Sequence, residues 1–422
     1  MGRGRALALA LAGTAALTGA GGLAGCGGSA QKTPAGDEIK GTTLTIYSSG
    51  PQHGASSVSA RAVLAGEQLA LADAHGRVGK YRIVLRALDD STPQRGEWDP
   101  GQTSTNAHTA LANPTTVGYL GEFNSGASAV SIPLLNRLDI AQISPTSTAV
   151  GLTSAGAGAS PGEPDKYYPT GVRTFARIVP NDAVQAAAQV ALQLRQGCRS
   201  TFVLDDGEVD GQDTATTFAV AAQRGGLHIA GSQPFDPHAT DYRSLATAVV
   251  QTGADCVFIS AITESNAVLL TKQVAAALPG AKIFGSAGMA ESTYTDASEG
   301  GIPRNLDGQV MITVATLDPA SYPPSARAFY ASYAHRYGIP QPYAIYGYEA
   351  MSLMLNAIWR ATDHGRTSVR RSKVIAALLA TRDRRSVLGT YSINHQGDTT
   401  LRRYGVYRIV DGRLVFWTAM SA

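Results

Sequence analysis

Short runs of β-branched and apolar residues alternate along the chain with longer stretches whose apolar positions recur at helical spacing. Thr43 to Tyr47 reads as a strand, and Val58 to Ala74 as a helix that gathers Val63, Leu64 and Leu71 on one face. The pattern then predicts a strand over Tyr81 to Leu88, a helix over Thr103 to Ala112, a strand over Thr116 to Leu120 and a helix over Ala127 to Arg137. It resumes at Asp182, with strands expected near Thr201, Leu227, Asp255 and Ala281. Strands alternating with helices indicate parallel sheets covered on both faces, and two such series imply two α/β lobes. Between the series, Ser154 to Tyr168 is rich in Gly, Ser and Pro. No helix follows its Gly156-Ala157-Gly158 in register, which favours a surface excursion over a nucleotide loop. From Tyr391 to Trp417, β-type runs surround Gln396-Gly397-Asp398 and Asp411-Gly412, both hairpin signals.

The N-terminal segment follows a different pattern. Arg3 and Arg5 form a positive head, Ala6 to Ala20 is apolar, and Leu23-Ala24-Gly25-Cys26 places small residues before a cysteine. This is the order of a secretory signal whose cleavage site ends in Cys. It resembles the lipobox of bacterial lipoproteins, in which Cys26 would take a diacylglyceryl group and become the mature N-terminus. An ordinary signal peptide or one short membrane helix are the alternatives, but the apolar run is shorter than the roughly 20 residues needed to span a bilayer. Residues 1–25 are thus expected to be a signal peptide and 26–41 a flexible tether. No later apolar stretch is long enough to cross a bilayer, so the expectation is an extracytoplasmic protein anchored to the outer face of the cell membrane.

A hydrophobic content of 44% with 16% charged residues describes a globular chain, and 422 residues suffice for two or three domains. The formal charge is only +3 and no basic run is interleaved with aromatics, which argues against nucleic acid as a partner. The motifs of nucleophilic, zinc-dependent and phosphate-binding enzymes are missing, and Ser29-Ala30-Gln31-Lys32 lies in the tether. The eight histidines show no ligand spacing. Asp89-Asp90 and Asp205-Asp206 each close a strand, where acids commonly cap the next turn. The chain therefore reads as a non-enzyme without cofactor or metal. Apart from Cys26, it holds Cys198 and Cys256, near the starts of the first and third strands of the second series. Those strands are neighbours in a flavodoxin-like order, so in an oxidising compartment a disulfide is expected, with two buried thiols as the alternative. Closing a loop of about 60 residues would restrict the unfolded chain by about 4 kcal/mol.

Six segments come in an order that resembles type I periplasmic solute-binding proteins, particularly the leucine/isoleucine/valine-binding family that serves ABC importers. They are Ser49-Gly50-Pro51, Asp89-Asp90, Gly121-Glu122-Phe123-Asn124-Ser125-Gly126, Ile143-Ser144-Pro145-Thr146-Ser147-Thr148, Arg177-Ile178-Val179-Pro180-Asn181-Asp182 and Leu204-Asp205-Asp206-Gly207. The resemblance implies the type I periplasmic binding protein fold, with two doubly wound parallel-sheet lobes joined by three hinge crossovers. Lobe one would comprise 42–179 and 316–388, and lobe two 180–315 and 389–422, crossing near Val179, Val314 and Gly389. In such sheets ligands sit beyond the carboxyl ends of strands. The loop carrying Ser125 and Gly126 opens a helix, and Ser144, Thr146 and Thr148 close the next strand. The family uses these two loops to hold a ligand's α-carboxylate and α-amino group, with Ser125 and Thr148 on its two hydroxyl positions. Ser125 could instead only cap its helix.

Elsewhere the chain departs from the family. His53 occupies the place of an aromatic pocket residue, while Tyr343 keeps an aromatic wall position. Asp210 stands where the family has tyrosine, Ile262 replaces another tyrosine, and Ala287 replaces the carboxylate that pairs with the ligand's ammonium. Either another acid substitutes, with Asp210 and Glu264 the candidates, or the ligand lacks an α-ammonium. The bland readings of those acids are a solvated loop charge and a helix-start charge. The implied partners are a small solute (an amino acid or related carboxylate or amide), an ABC transporter permease, and the membrane through the lipid on Cys26; the chain is expected to be a monomer. A sensing domain that presents its ligand to a receptor is the alternative. Replacing Cys26→Ser should release the protein from membranes in cell fractionation; continued pelleting with the membrane would show a second anchor.

Overall fold

The computed structural model describes residues 36–421; the signal segment and Cys26 lie outside the described residues. Two sheets organise the chain. The first contains β1 (Thr43–Gly50), β2 (Arg77–Val78), β3 (Tyr81–Asp89), β4 (Thr116–Leu120), β5 (Ala141–Ser144) and β6 (Phe175–Arg177), in the order β2-β3-β1-β4-β5-β6. All its pairings are parallel except β2 with β3. The second contains β7 (Ser200–Asp205), β8 (His228–Pro234), β9 (Cys256–Ser260), β10 (Lys282–Gly285), β11 (Val310–Val314), β12 (Arg403–Val410) and β13 (Arg413–Ser421), in the order β8-β7-β9-β10-β11-β12-β13. Its last two strands run antiparallel. Every residue of β4, β9 and β11 is buried, as expected where helices cover both faces of a parallel sheet.

The helices follow the predicted rhythm: α1 (Ser57–Asp73), α2 (Pro100–Ala112), α3 (Ser125–Asn136), α4 (Asp182–Arg195) and α5 (Val209–Gly225). Helix α2 starts three residues earlier than expected because Asp99 caps it, accepting from the Gln102 amide at 2.9 Å, with Pro100 in the first turn. Further on come α6 (Arg243–Gln251), α7 (Val268–Ala277), α8 (Ser292–Thr295), α9 (Ala326–Tyr337), α10 (Ala344–Ala361) and α11 (Arg371–Leu379). Helices α1 and α10 touch backbone to backbone. A Cβ on Gly66 would lie 2.1 Å from the Ala344 carbonyl oxygen, and one on Gly347 would lie 2.0 Å from that of Val63. Only glycine permits this approach.

After Arg177 the chain leaves the first sheet and enters α4; after Val314 it leaves the second, and it rejoins the second at Arg403. The β12–β13 hairpin turns on Asp411 and Gly412, both at positive φ, with Val410 paired to Arg413. Gln396-Gly397-Asp398 instead makes a tight loop closed by a single bridge between Ile393 and Thr399. Cys198 and Cys256 are joined in a disulfide, with Cα atoms 5.9 Å apart; Cys256 pairs with Thr201 of β7. No helix among the described residues is long and apolar enough to cross a membrane.

One ion pair locks the Gln396–Asp398 loop to the first sheet. Arg177, with a fully buried side chain, donates from Nε to Asp398 at 2.8 Å, from Nη1 to the Ser147 carbonyl at 3.0 Å and from Nη2 to Thr153 Oγ1 at 2.6 Å. Asp398→Ala would strand the guanidinium without its counter-charge, and should cost roughly 3–5 kcal/mol in chemical denaturation; a loss below about 1 kcal/mol would mean that water reaches Arg177.

Candidate functional site

The carboxyl ends of both sheets face one cavity of about 50 Å³. From the first sheet come the loops after β4 and β5. Ser125, at the start of α3, and Thr148 are both nearly inaccessible to solvent. From the second come Asp210, in the first turn of α5 after β7, and Ile262 and Ala287, just after β9 and β10. Tyr343, immediately before α10, closes one side, its ring set edge-on to Phe123 with centroids 6.1 Å apart.

Asp210 crosses the cleft. Ser125 Oγ donates to its Oδ1 at 2.7 Å and Thr148 Oγ1 donates to the same oxygen at 2.9 Å. Ser125 Oγ also accepts from the Thr148 and Ala149 amides at 3.1 and 3.2 Å. The hydroxyl pair expected to grip a solute carboxylate is thus engaged by a carboxylate of the protein itself. Burial raises the Asp210 carboxyl above its usual range, opposed by these two hydroxyls and by the Arg177 charge. Close by, Gly151 donates its amide to Asp213 Oδ2 at 3.1 Å, a second contact from the first half to α5.

Two more acids reach across from the second half. Glu264 Oε1 accepts from the Ser56 amide and hydroxyl at 2.8 and 2.9 Å, while its Oε2 is buried without a partner. Glu291, which precedes α8, lines the cavity, is 7% exposed, and accepts from Ser59 Oγ at 3.0 Å. Burial first, then the neighbouring Glu264 charge, push its carboxyl from the ordinary 4.5 up to about 8 against the Ser59 hydrogen bond.

Seven sequence-predicted residues therefore meet at the cavity: Ser125, Thr146, Thr148, Asp210, Ile262, Ala287 and Tyr343. Three do not. His53 turns outward, its Nδ1 3.0 Å from Asp89 Oδ2 and its backbone amide donating to Ser91 Oγ. Ser144 is spent inside the first half, donating to the Glu122 carbonyl at 2.8 Å. Gly126 packs against Trp98, which a Cβ would meet at 2.5 Å. Glu264 stands behind Ser56, which lines the cavity. Sequence reasoning missed Ser56, Phe123, Asn124, Gly288 and above all Glu291, four residues beyond the alanine that replaces the expected acid. An acid so near that substitution was the available signal.

Between pH 4.5 and 8 the folded protein keeps a proton on Glu291 that the unfolded chain releases, so this group's contribution makes stability fall as pH rises, by about 1.4 kcal/mol per pH unit. Glu291→Gln removes that component. Its advantage over the wild type in solute-free urea denaturation should grow from pH 5 to pH 8; parallel profiles would show that Glu291 is solvated.

Comparisons with known proteins bear on this geometry. The family model described as periplasmic binding protein matches residues 43–413. A leucine-binding protein, LivK, from Thermotoga maritima superposes with a TM-score of 0.73 at 19% identity, covering 90% of this chain and 99% of that one. LivJ from Streptococcus pneumoniae, in complex with isoleucine, gives 0.71 at 15% identity over 90% and 99%. A solute-binding protein from Rhodopseudomonas palustris, in complex with p-hydroxybenzoic acid, gives 0.71 at 15% over 90% and 97%. No curated protein sequence matches the chain.

Proposed function

This chain belongs to the periplasmic binding protein family, with its type I fold, and from that premise we propose that it captures a small amino-acid-like solute between two lobes and delivers it to the permease of an ABC importer. The observation that carries this reading is the cavity itself, walled by the strand-end loops of two separate sheets and lined by polar groups from both. Lobe one would be built on the six-stranded sheet and lobe two on the seven-stranded sheet, with the chain passing between them three times. Solute would shift an open–closed balance by hinge motion, burying itself and presenting a composite surface to the permease. Energy for transport would come from the partner's ATPase. Lipid on Cys26 would keep the protein, as a monomer, at the outer face of the membrane. A leucine-binding protein among the similar structures, and isoleucine and p-hydroxybenzoic acid bound in two others, support a small organic solute.

A thermal-shift screen of the purified full chain against amino acids, amines, amides and small carboxylates should find a solute that raises the melting temperature, since a ligand at 100 times its dissociation constant contributes about 2.7 kcal/mol. Ser125→Ala removes one of the two hydroxyls that hold Asp210 in the cleft, and should weaken that solute's binding by roughly 1–3 kcal/mol. Undiminished affinity would remove Ser125 from the site, and silence across the whole screen would overturn the reading.

A further inference from the structure

The cavity wall carries acids and no bases. Asp210 and Glu291 line the cavity and Glu264 sits behind Ser56, yet no Lys, Arg or His is among the lining residues. Arg177, the guanidinium whose charge acts on Asp210, spends its donors on Asp398, Ser147 and Thr153. Glu291 is the clearest case. Among the described residues its side chain accepts one hydrogen bond, from Ser59 to Oε2, and makes no ion pair. Burial keeps a proton on it in the absence of solute, a proton that an arriving cation would displace, and the cavity lies beside it. Two further acceptors are buried without partners: Oδ1 of Asn124, a residue of the cavity wall, and Oε2 of Glu264, behind Ser56. Donors are what this site lacks.

Two hydroxyls of the cavity wall are already taken. Ser125 and Thr148 are both donating to Asp210 Oδ1, and a second carboxylate placed on the same hydroxyls would meet like charge at contact distance. Aromatic rings complete the wall. Tyr343 and Phe123 flank the space, and the charges of Glu291 and Asp210, after burial and Tyr346, raise the Tyr343 phenol, which places that ring near both acids. Such rings favour a cation at their faces.

We propose that the solute is an organic cation without a free carboxylate, an amine or guanidine of amino-acid size, held between Asp210 and Glu291 against Tyr343 and Phe123. The inference rests on the solute-binding reading and sharpens it: the ligand would be the amine part of an amino acid without its acid part. Its ammonium or guanidinium hydrogens supply the donors that Glu291 and Asn124 lack. Asp210 performs intramolecularly the role that a zwitterion's carboxylate would otherwise fill at Ser125 and Thr148.

Isothermal titration of the purified full chain with agmatine, 1,4-diaminobutane, phenethylamine, leucine and benzoate tests this. At least one amine should bind, and leucine and benzoate should not. Asp210→Asn and Glu291→Gln, both close in shape to the wild type, should each weaken the amine at least tenfold while keeping a cooperative thermal transition. Asp210→Ala should free the two hydroxyls and give leucine or benzoate a measurable affinity that the wild type lacks. Wild-type binding of leucine or benzoate with the amines inert would overturn the inference and leave the solute-binding reading intact. Amine binding that neither Asp210→Asn nor Glu291→Gln alters would overturn the placement. Failure of every probe here, together with the wider screen, would overturn both.

Discussion

A single carboxylate oxygen, Asp210 Oδ1, receives hydroxyl hydrogens from Ser125 and Thr148, and through them ties the start of α5 to the strand-end loops of the other sheet. The geometry upstream of this contact has to be exact. The Ser125 oxygen is itself held by two amides, so its hydrogen can point only outward into the cleft. Helix α3 must begin at Ser125, and the Ser144–Thr148 turn must be pinned from behind, which Ser144 and Ser147 do by bonding to the Glu122 carbonyl. Arg177 reaches the same turn through the Ser147 carbonyl, so the buried ion pair with Asp398 supports the floor of the site as well as the end of the first sheet.

Around that contact the protein accepts an electrostatic cost. Glu291, Asp213 and Asp206 all lie where burial pushes their carboxyls up, to about 8, 7 and 7. Asp213 and Asp206 are answered by amides: Gly151 for Asp213, and Ile262 and Glu208 for Asp206. Glu291 receives only a serine hydroxyl. A residue that makes the empty protein less stable than it could be, at a place where solute would sit, fits the general pattern in which binding sites are less than optimal for folding.

Much of this was legible from the chain alone, because the signals were local. Strands buried on both faces read as unbroken apolar runs, and β4 was found where its sequence placed it, at Thr116–Leu120. Ser125 and Thr148 were visible because they fall on the two hydroxyl positions of the family that the chain resembles, although Ser125 had capping as an alternative use. Asp210 was visible as an acid in place of an aromatic, although its engagement with those hydroxyls was not, since that depends on how the halves meet. His53 was misplaced because Asp89 and Ser91, distant in sequence, capture it at the surface. Glu291 escaped because its approach to the cavity is set by the short turns between β10 and α8, which carry no periodicity to read.

The glycine contact between α1 and α10 has a reach beyond packing. Ser56 and Ser59 belong to the beginning of α1, and Tyr343 to the beginning of α10, so the gap between those helices fixes how far the serine-held acids stand from the aromatic wall. Gly66 and Gly347 hold that gap at its minimum. A single methyl group at either position, out of touch with any solute, would wedge the helices apart and widen the aperture. The caliper that sizes the guest is therefore set by two side chains that do not exist.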